Sequence, residues 1–181
     1  MKALATLLLI ANTIIVNVVL AQTPASKTAS PMDVFRKWEG HWQGEGSMQR
    51  GPGQPEKSFV NEYISLKLNG TIVVVEGIGT KINPAASNEE TVVHHAFGVL
   101  NFDQASNAYK FQSYLIDGKT ASAWFNVDSD GKYQWGFDVP NGQIRYTITI
   151  DTDKNTWYEI GEFSTDGSRW MKFFEMNLKK V

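Results

Sequence analysis

Five times along this chain an Asn or Asp is followed directly by Gly between two β-rich runs: Asn69-Gly70, Asp117-Gly118, Asp130-Gly131, Asn141-Gly142 and Asp166-Gly167. A two-residue type I′ turn needs positive φ at both central positions, which these residues tolerate, and its twist matches that of the flanking strands. Strands joined in this way are antiparallel neighbours. Five such signals in 181 residues, with no helical period between them, predict an all-β meander. About ten strands are expected, near 42–50, 58–68, 72–81, 91–102, 109–115, 120–127, 133–139, 143–150, 157–164 and 169–178. One short helix precedes them. Ser30-Pro31 reads as an N-cap followed by a first-turn proline, and Val34, Phe35 and Trp38 follow at helical spacing before Gly40 stops the segment.

The ends and the composition narrow the class. Lys2 precedes an apolar run from Ala3 to Leu20 that closes with Val19-Leu20-Ala21, small at the positions a signal peptidase reads. Residues 1–21 are therefore expected to be a signal peptide cleaved after Ala21, residues 22–30 a polar tether, and residues 31–181 one barrel domain. A retained membrane anchor fits less well, because Asn12, Thr13 and Asn17 interrupt the run and few positive charges flank it. The mature protein is then expected to be secreted or periplasmic, with no membrane attachment. The chain has no cysteine, which excludes disulfides, thiolate metal sites and a cysteine nucleophile. A net charge of −2 without a Lys/Arg cluster gives no footprint for a phosphate backbone, so nucleic acid is not an expected partner.

Two-residue turns also set register, and residues facing each other should share a preference for core or water. Asn141-Gly142 would pair Val139 with Ile144, Phe137 with Tyr146 and Trp135 with Ile148; Asp117-Gly118 would pair Phe111 with Trp124 and Ser113 with Ser122. An even-length turn at Asp130-Gly131 would put Trp124 on the side of Trp135 and Phe137. One surface through four strands then carries Tyr109, Phe111, Ser113, Trp124, Asn126, Trp135, Phe137 and Tyr146, aromatic with scattered hydroxyl and amide groups. A ligand cavity has such a wall, mostly apolar with a few placed polar groups, whereas a dry sandwich core does not. A closed, up-and-down antiparallel barrel with a cavity is the expected architecture.

The segment Gly40-His41-Trp42-Gln43-Gly44-Glu45-Gly46, a short helix leading into G-x-W-x-G-x-G, resembles the opening of calycin barrels: lipocalins, fatty-acid-binding proteins and especially the ten-stranded nitrobindin-like group. The chain further resembles an uncharacterised bacterial secreted domain family with a lipocalin-like barrel. The segments that carry this are Gly51-Pro52-Gly53, Lys67-Leu68-Asn69-Gly70, Phe97-Gly98-Val99-Leu100-Asn101-Phe102-Asp103, Trp135-Gly136-Phe137, Ile144-Arg145-Tyr146-Thr147 and Phe173-Phe174-Glu175-Met176. The resemblance implies a calycin-like barrel and no settled activity. It also implies that Trp42 plugs the closed end, with a late-strand arginine, here Arg145, stacked over it. The alternation around Ile144 and Tyr146 argues instead that Arg145 points outward. Nitrobindin-like proteins bind haem through a histidine near the C-terminal end; the last expected strand here has none, so haem by that route is not expected. Gly51 to Lys57 is too short for the helix pair of fatty-acid-binding proteins.

His94 and His95 are adjacent in a strand, so one side chain enters the barrel. Pairing Phe102 with Tyr109 and Leu100 with Phe111 selects His94, and a loop one residue different in length would select His95. An even loop between Asp151 and Thr156 would turn Trp157, Glu159 and Phe163 inward with Trp170, Lys172 and Phe174. Glu159 and Lys172 would then be neighbours inside. Glu62 and Glu76 fall on opposite faces, because the Asn69-Gly70 turn opposes Glu62 to Gly77 and Tyr63 to Glu76. Asp151 to Glu162 imitates a calcium loop but has Thr156 where glycine is required, and no metal site is expected. The last strand is apolar on both faces, so either the helix around Phe35 or a second copy of the chain should cover it.

The leading expectation is an exported barrel that binds a small, largely apolar molecule, with His94, Tyr109, Phe111, Trp124, Asn126, Trp135, Phe137, Tyr146 and Glu159 as candidate cavity-wall residues. The alternatives are a hydrolase or isomerase using the inward histidine or Glu159 as general base, a haem protein using that histidine, and a structural protein with a filled barrel.

Overall fold

Alternating apolar and polar residues give a sheet one face that water avoids, and a long meander can bury that face by curling into a ring. The computed structural model, which describes residues 29–83 and 89–181, has this form. Its strands are β1 (Gly40–Met48), β2 (Glu56–Lys67), β3 (Ile72–Asn83), β4 (Glu89–Asp103), β5 (Ala108–Leu115), β6 (Thr120–Val127), β7 (Tyr133–Val139), β8 (Gly142–Asp151), β9 (Thr156–Ser164) and β10 (Met171–Lys180). Each strand pairs antiparallel with the next, and β1 closes the ring against β10. The expected signal peptide, its cleavage point and most of the tether lie outside the described residues.

The opening helix is a 3₁₀ helix, Pro31–Trp38, with a complete capping box: Ser30 Oγ accepts from Met32 N–H, and Asp33 Oδ2 accepts from Ser30 N–H at 2.8 Å. Three residues per turn put Met32, Phe35 and Trp38 in one buried row, whereas Val34, expected in the apolar stripe, is exposed. The helix forms the floor of the barrel. Phe35 meets Trp38, Tyr109, Phe125 and Tyr133 at 5.2–5.5 Å between ring centroids. The helix carbonyls are satisfied from the barrel: Pro31 C=O by the Tyr109 hydroxyl at 2.8 Å, Val34 C=O by Tyr133 at 2.7 Å and Trp38 C=O by Trp42 Nε1 at 2.7 Å. With Phe35 in the floor, this helix does not cover the outside of β10.

Loop length, which sets register, departs from a uniform two-residue turn. Among the described residues only Asn69-Gly70 has positive φ at both positions, 58° and 86°. At Asp117-Gly118 and Asp130-Gly131 only the glycine is left-handed. Gly118 N–H donates to Leu115 C=O and Leu115 N–H to Lys119 C=O, and Gly131, Asp128 and Lys132 repeat the arrangement. Each is a type I turn followed by a left-handed glycine, one residue longer than type I′. The aspartates favour it by accepting backbone N–H groups: Asp128 Oδ1 takes those of Asp130 and Lys132 at 2.9 and 2.8 Å. One added residue turns the partner strand over.

That inversion corrects two expected wall positions. Phe111 faces Ala123, not Trp124. Trp124 is 41% exposed on the outside, where its indole lies across Gly136. Asn126 is likewise exposed, opposite Gln134. The inner row of β6 is instead Ala121, Ala123 and Phe125. At β7–β8 the turn is Pro140-Asn141, so Trp135 faces Tyr146, a slip of two that keeps both inside.

Candidate functional site

Above the floor the barrel encloses a cavity of about 260 Å³, running from Trp38, Phe125 and Trp157 to Arg50, Glu56 and Lys81 at the rim. Small inward residues make the room: Gly77, Gly79, Ala96, Gly98 and Ala121 all line it. Arg50 and Glu56 are more than half exposed, so the cavity reaches solvent at that end. The rim is ion-paired, Lys81 Nζ to Glu56 Oε2 at 2.6 Å with Arg50 Nε 3.8 Å from the same oxygen.

Of the expected wall residues, His94, Phe111, Trp135, Phe137, Tyr146 and Glu159 line the cavity. Tyr109 points inward but belongs to the floor, packed against Phe35, Phe102 and Phe125. Trp135 and Tyr146 stack at 4.1 Å with an 11° interplanar angle, and Phe111 meets Trp135 edge-on. Phe102 does pair with Tyr109 and Leu100 with Phe111, so His94 is the inward histidine. Desolvation at the cavity wall, with smaller effects from Arg50 and His95, lowers the pKa of His94 and so favours the neutral ring at neutral pH. His95 lies outside with its Nε2 2.9 Å from Glu76 Oε1.

Glu159 is 5% exposed and is held by two indoles: Trp135 Nε1 donates to Oε1 and Trp157 Nε1 to Oε2, each at 3.2 Å. Its expected neighbour Lys172 is elsewhere. A bulge between Lys172 and Phe174 lets Phe174 face the cavity while Lys172 faces out, where its Nζ bonds Glu175 Oε2 at 2.5 Å. Trp170 is also outside, covered by Arg145 with Cζ 4.0 Å from the ring centroid. Arg145 bonds Glu162 at 2.7 Å, and the cation over Trp42 is Lys180.

The second carboxyl in the cavity is Glu62, which is not among the expected wall residues. Glu62 and Glu76 are on opposite faces, with Glu62 opposite Gly77 and Tyr63 opposite Glu76. Glu62 instead shares the interior with Glu159, three places around the ring. Its signal was present in the sequence: it has the parity of buried Val60 and Ile64 and faces a glycine. A Cβ on Gly77 would lie 2.6 Å from Glu62 Oε1, so the glycine leaves the space this carboxyl fills. Two sealed side-chain atoms lack a hydrogen-bond partner among the described residues, Trp38 Nε1 and Glu62 Oε2. The first belongs to the floor, where Trp38 packs edge-on to Tyr133. The second is in the cavity wall.

The electrostatics follow from that placement. Burial raises Glu62 to about 8, with a further push from Glu159, and burial raises Glu159 to about 7 against the two indole hydrogen bonds. The two carboxyls titrate as a coupled pair, both held above the usual carboxylate range. Burial, then the Glu159 charge, raises the Tyr146 phenol as well. At neutral pH this wall offers carboxyl groups able both to donate and to accept hydrogen bonds. Among the described residues no group of three His, Asp or Glu side chains is arranged to hold a metal ion.

No family model matches this chain, and no curated protein matches it. Among solved structures it is similar to Rv2717c from M. tuberculosis, at 10% identity over 85% of this chain and 99% of that chain with a TM-score of 0.60. A protein of unknown function of the DUF3598 family from Nostoc punctiforme aligns over 85% of this chain and 100% of that chain at 8% identity, with a TM-score of 0.25. The first similarity establishes a shared fold, and this chain's form of it is a closed barrel of ten strands.

Proposed function

We propose that this protein binds a small, largely apolar molecule inside the barrel. The observation that carries the reading is the cavity of about 260 Å³, walled by stacked aromatic rings and closed below by the helix. Its volume is just below the usual range for small-molecule sites, so the ligand is a compact one. Export is supported by Lys2 and the apolar run to Leu20. The test is binding of uncharged aromatic solutes followed by tryptophan fluorescence, because Trp135 and Trp157 touch the cavity. Saturable quenching that disappears when Ala96→Phe fills the space is the expected result, and an interior that takes up no solute would refute the reading.

A second reading, proton-transfer catalysis, draws on the two buried carboxyls, since a general acid or base works best with a pKa near the operating pH. It requires turnover that is lost in Glu159→Gln, on ester or isomerisable substrates.

A further inference from the structure

We propose that the lower wall of the cavity is a binding site for the protonated amine of a compact, otherwise apolar ligand, with Glu62 and Glu159 as its counter-charges. This rests on the reading of the cavity as a ligand site. Three observations carry it. Both carboxyls line one cavity, and among the described residues neither has a cationic partner. Glu62 Oε2 is sealed from solvent with no donor, an arrangement that a native interior rarely leaves without an occupant. Around the pair stand the rings of Trp38, Trp135, Tyr146 and Trp157, an apolar wall that limits competition from water.

An ammonium group answers these needs together. It supplies N–H donors that the Glu62 carboxyl lacks, and its charge offsets the burial and the Glu159 charge that together hold Glu62 protonated. A neutral alcohol would satisfy the oxygen and leave the Glu159 charge unopposed. The rim does not select for a cation, because Arg50 and Lys81 share Glu56 there and His94 favours its neutral form; selection occurs at depth. Binding displaces protons from the carboxyls. Affinity therefore rises with pH until the amine itself loses its proton, while the Tyr146 phenol stays protonated throughout.

The experiment compares 2-phenylethylamine, 2-phenylethanol and ethylbenzene by calorimetry and tryptophan fluorescence, with the wild type, Glu62→Gln and Glu159→Gln. The expected result is an amine preference over the alcohol of about tenfold or more at pH 8. Net proton release should accompany amine binding at pH 7, seen as a dependence of heat on the buffer's ionisation enthalpy. Both variants should lose the preference and keep ethylbenzene binding, which shows an intact cavity. Equal affinity for amine and alcohol in the wild type overturns the amine proposal alone, as does a preference that survives both substitutions. Failure of all three compounds to bind removes the cavity reading and the amine site with it.

Discussion

Replacing Glu62 with glutamine should flatten the pH dependence of folding stability. A carboxyl whose pKa is higher in the folded state than in the unfolded chain contributes most below the unfolded value. That contribution is lost as pH rises toward the folded value, because the native state must hold a proton the unfolded chain has released. For Glu62 the window runs from 4.5 to about 8. At ~1.4 kcal/mol per unit, the full shift is worth roughly 5 kcal/mol, and water admitted to the cavity reduces it. A loss of ~2 kcal/mol across the window is the smallest effect that the burial of Glu62 predicts, and it is a large share of the 5–15 kcal/mol, roughly, that holds a domain folded. Glu159 acts in the same direction over 4.5 to about 7, and the lowered His94 acts oppositely; His94 cancels in the comparison, while Glu159, coupled to Glu62, cancels only in part. Urea denaturation followed by tryptophan fluorescence from pH 5 to pH 9 measures this on ligand-free protein. The slope of ΔG against pH is the readout, since the amide's own cost is a constant offset. Parallel wild-type and Glu62→Gln curves would refute the burial of an unpaired carboxyl.

Gly77→Ala should cost about 1–3 kcal/mol, because its Cβ would sit 2.6 Å from Glu62 Oε1, and the cost should fall sharply in a Glu62→Ala background; thermal melts of the four proteins complete the cycle. Trp42→Phe leaves the buried Trp38 carbonyl without its donor and should lower stability by about 1–3 kcal/mol in chemical denaturation. Arg145→Ala removes the outer-face pair with Glu162 and the cover over Trp170, for a loss of about 1 kcal/mol in a thermal melt, without changing solute affinity in the cavity. Glu159→Gln should lower the Glu62 titration midpoint, read by carbon NMR of the carboxyl, because the Glu159 charge is one of its two perturbers.

Much of the site could be read from the chain wherever local chemistry determines geometry. The pairing of Phe102 with Tyr109 followed from a short loop, and His94 and Phe111 took their places from it. Glu159 followed from the even loop after Asp151. Trp124 and Asn126 did not, because an Asp-Gly pair serves both a two-residue turn and a three-residue turn. Which one forms depends on an aspartate that accepts the loop's N–H groups: Asp117 within its own pair at one turn, and Asp128, two residues before the Asp130-Gly131 pair, at the other. Lys172 was missed for a related reason: a bulge is a single-residue irregularity with no compositional mark.

Residue order alone determined the all-β class, the antiparallel meander and the near-complete set of strand positions, since period-two alternation and Gly-bearing turns act within a few residues. The helix as a floor and the meeting of Glu62 with Glu159 were decided only by tertiary structure. The physical reason is range. Alternation says which side chains share a face, but the strands that face each other across the interior depend on the number of strands, their tilt and each loop's length taken together.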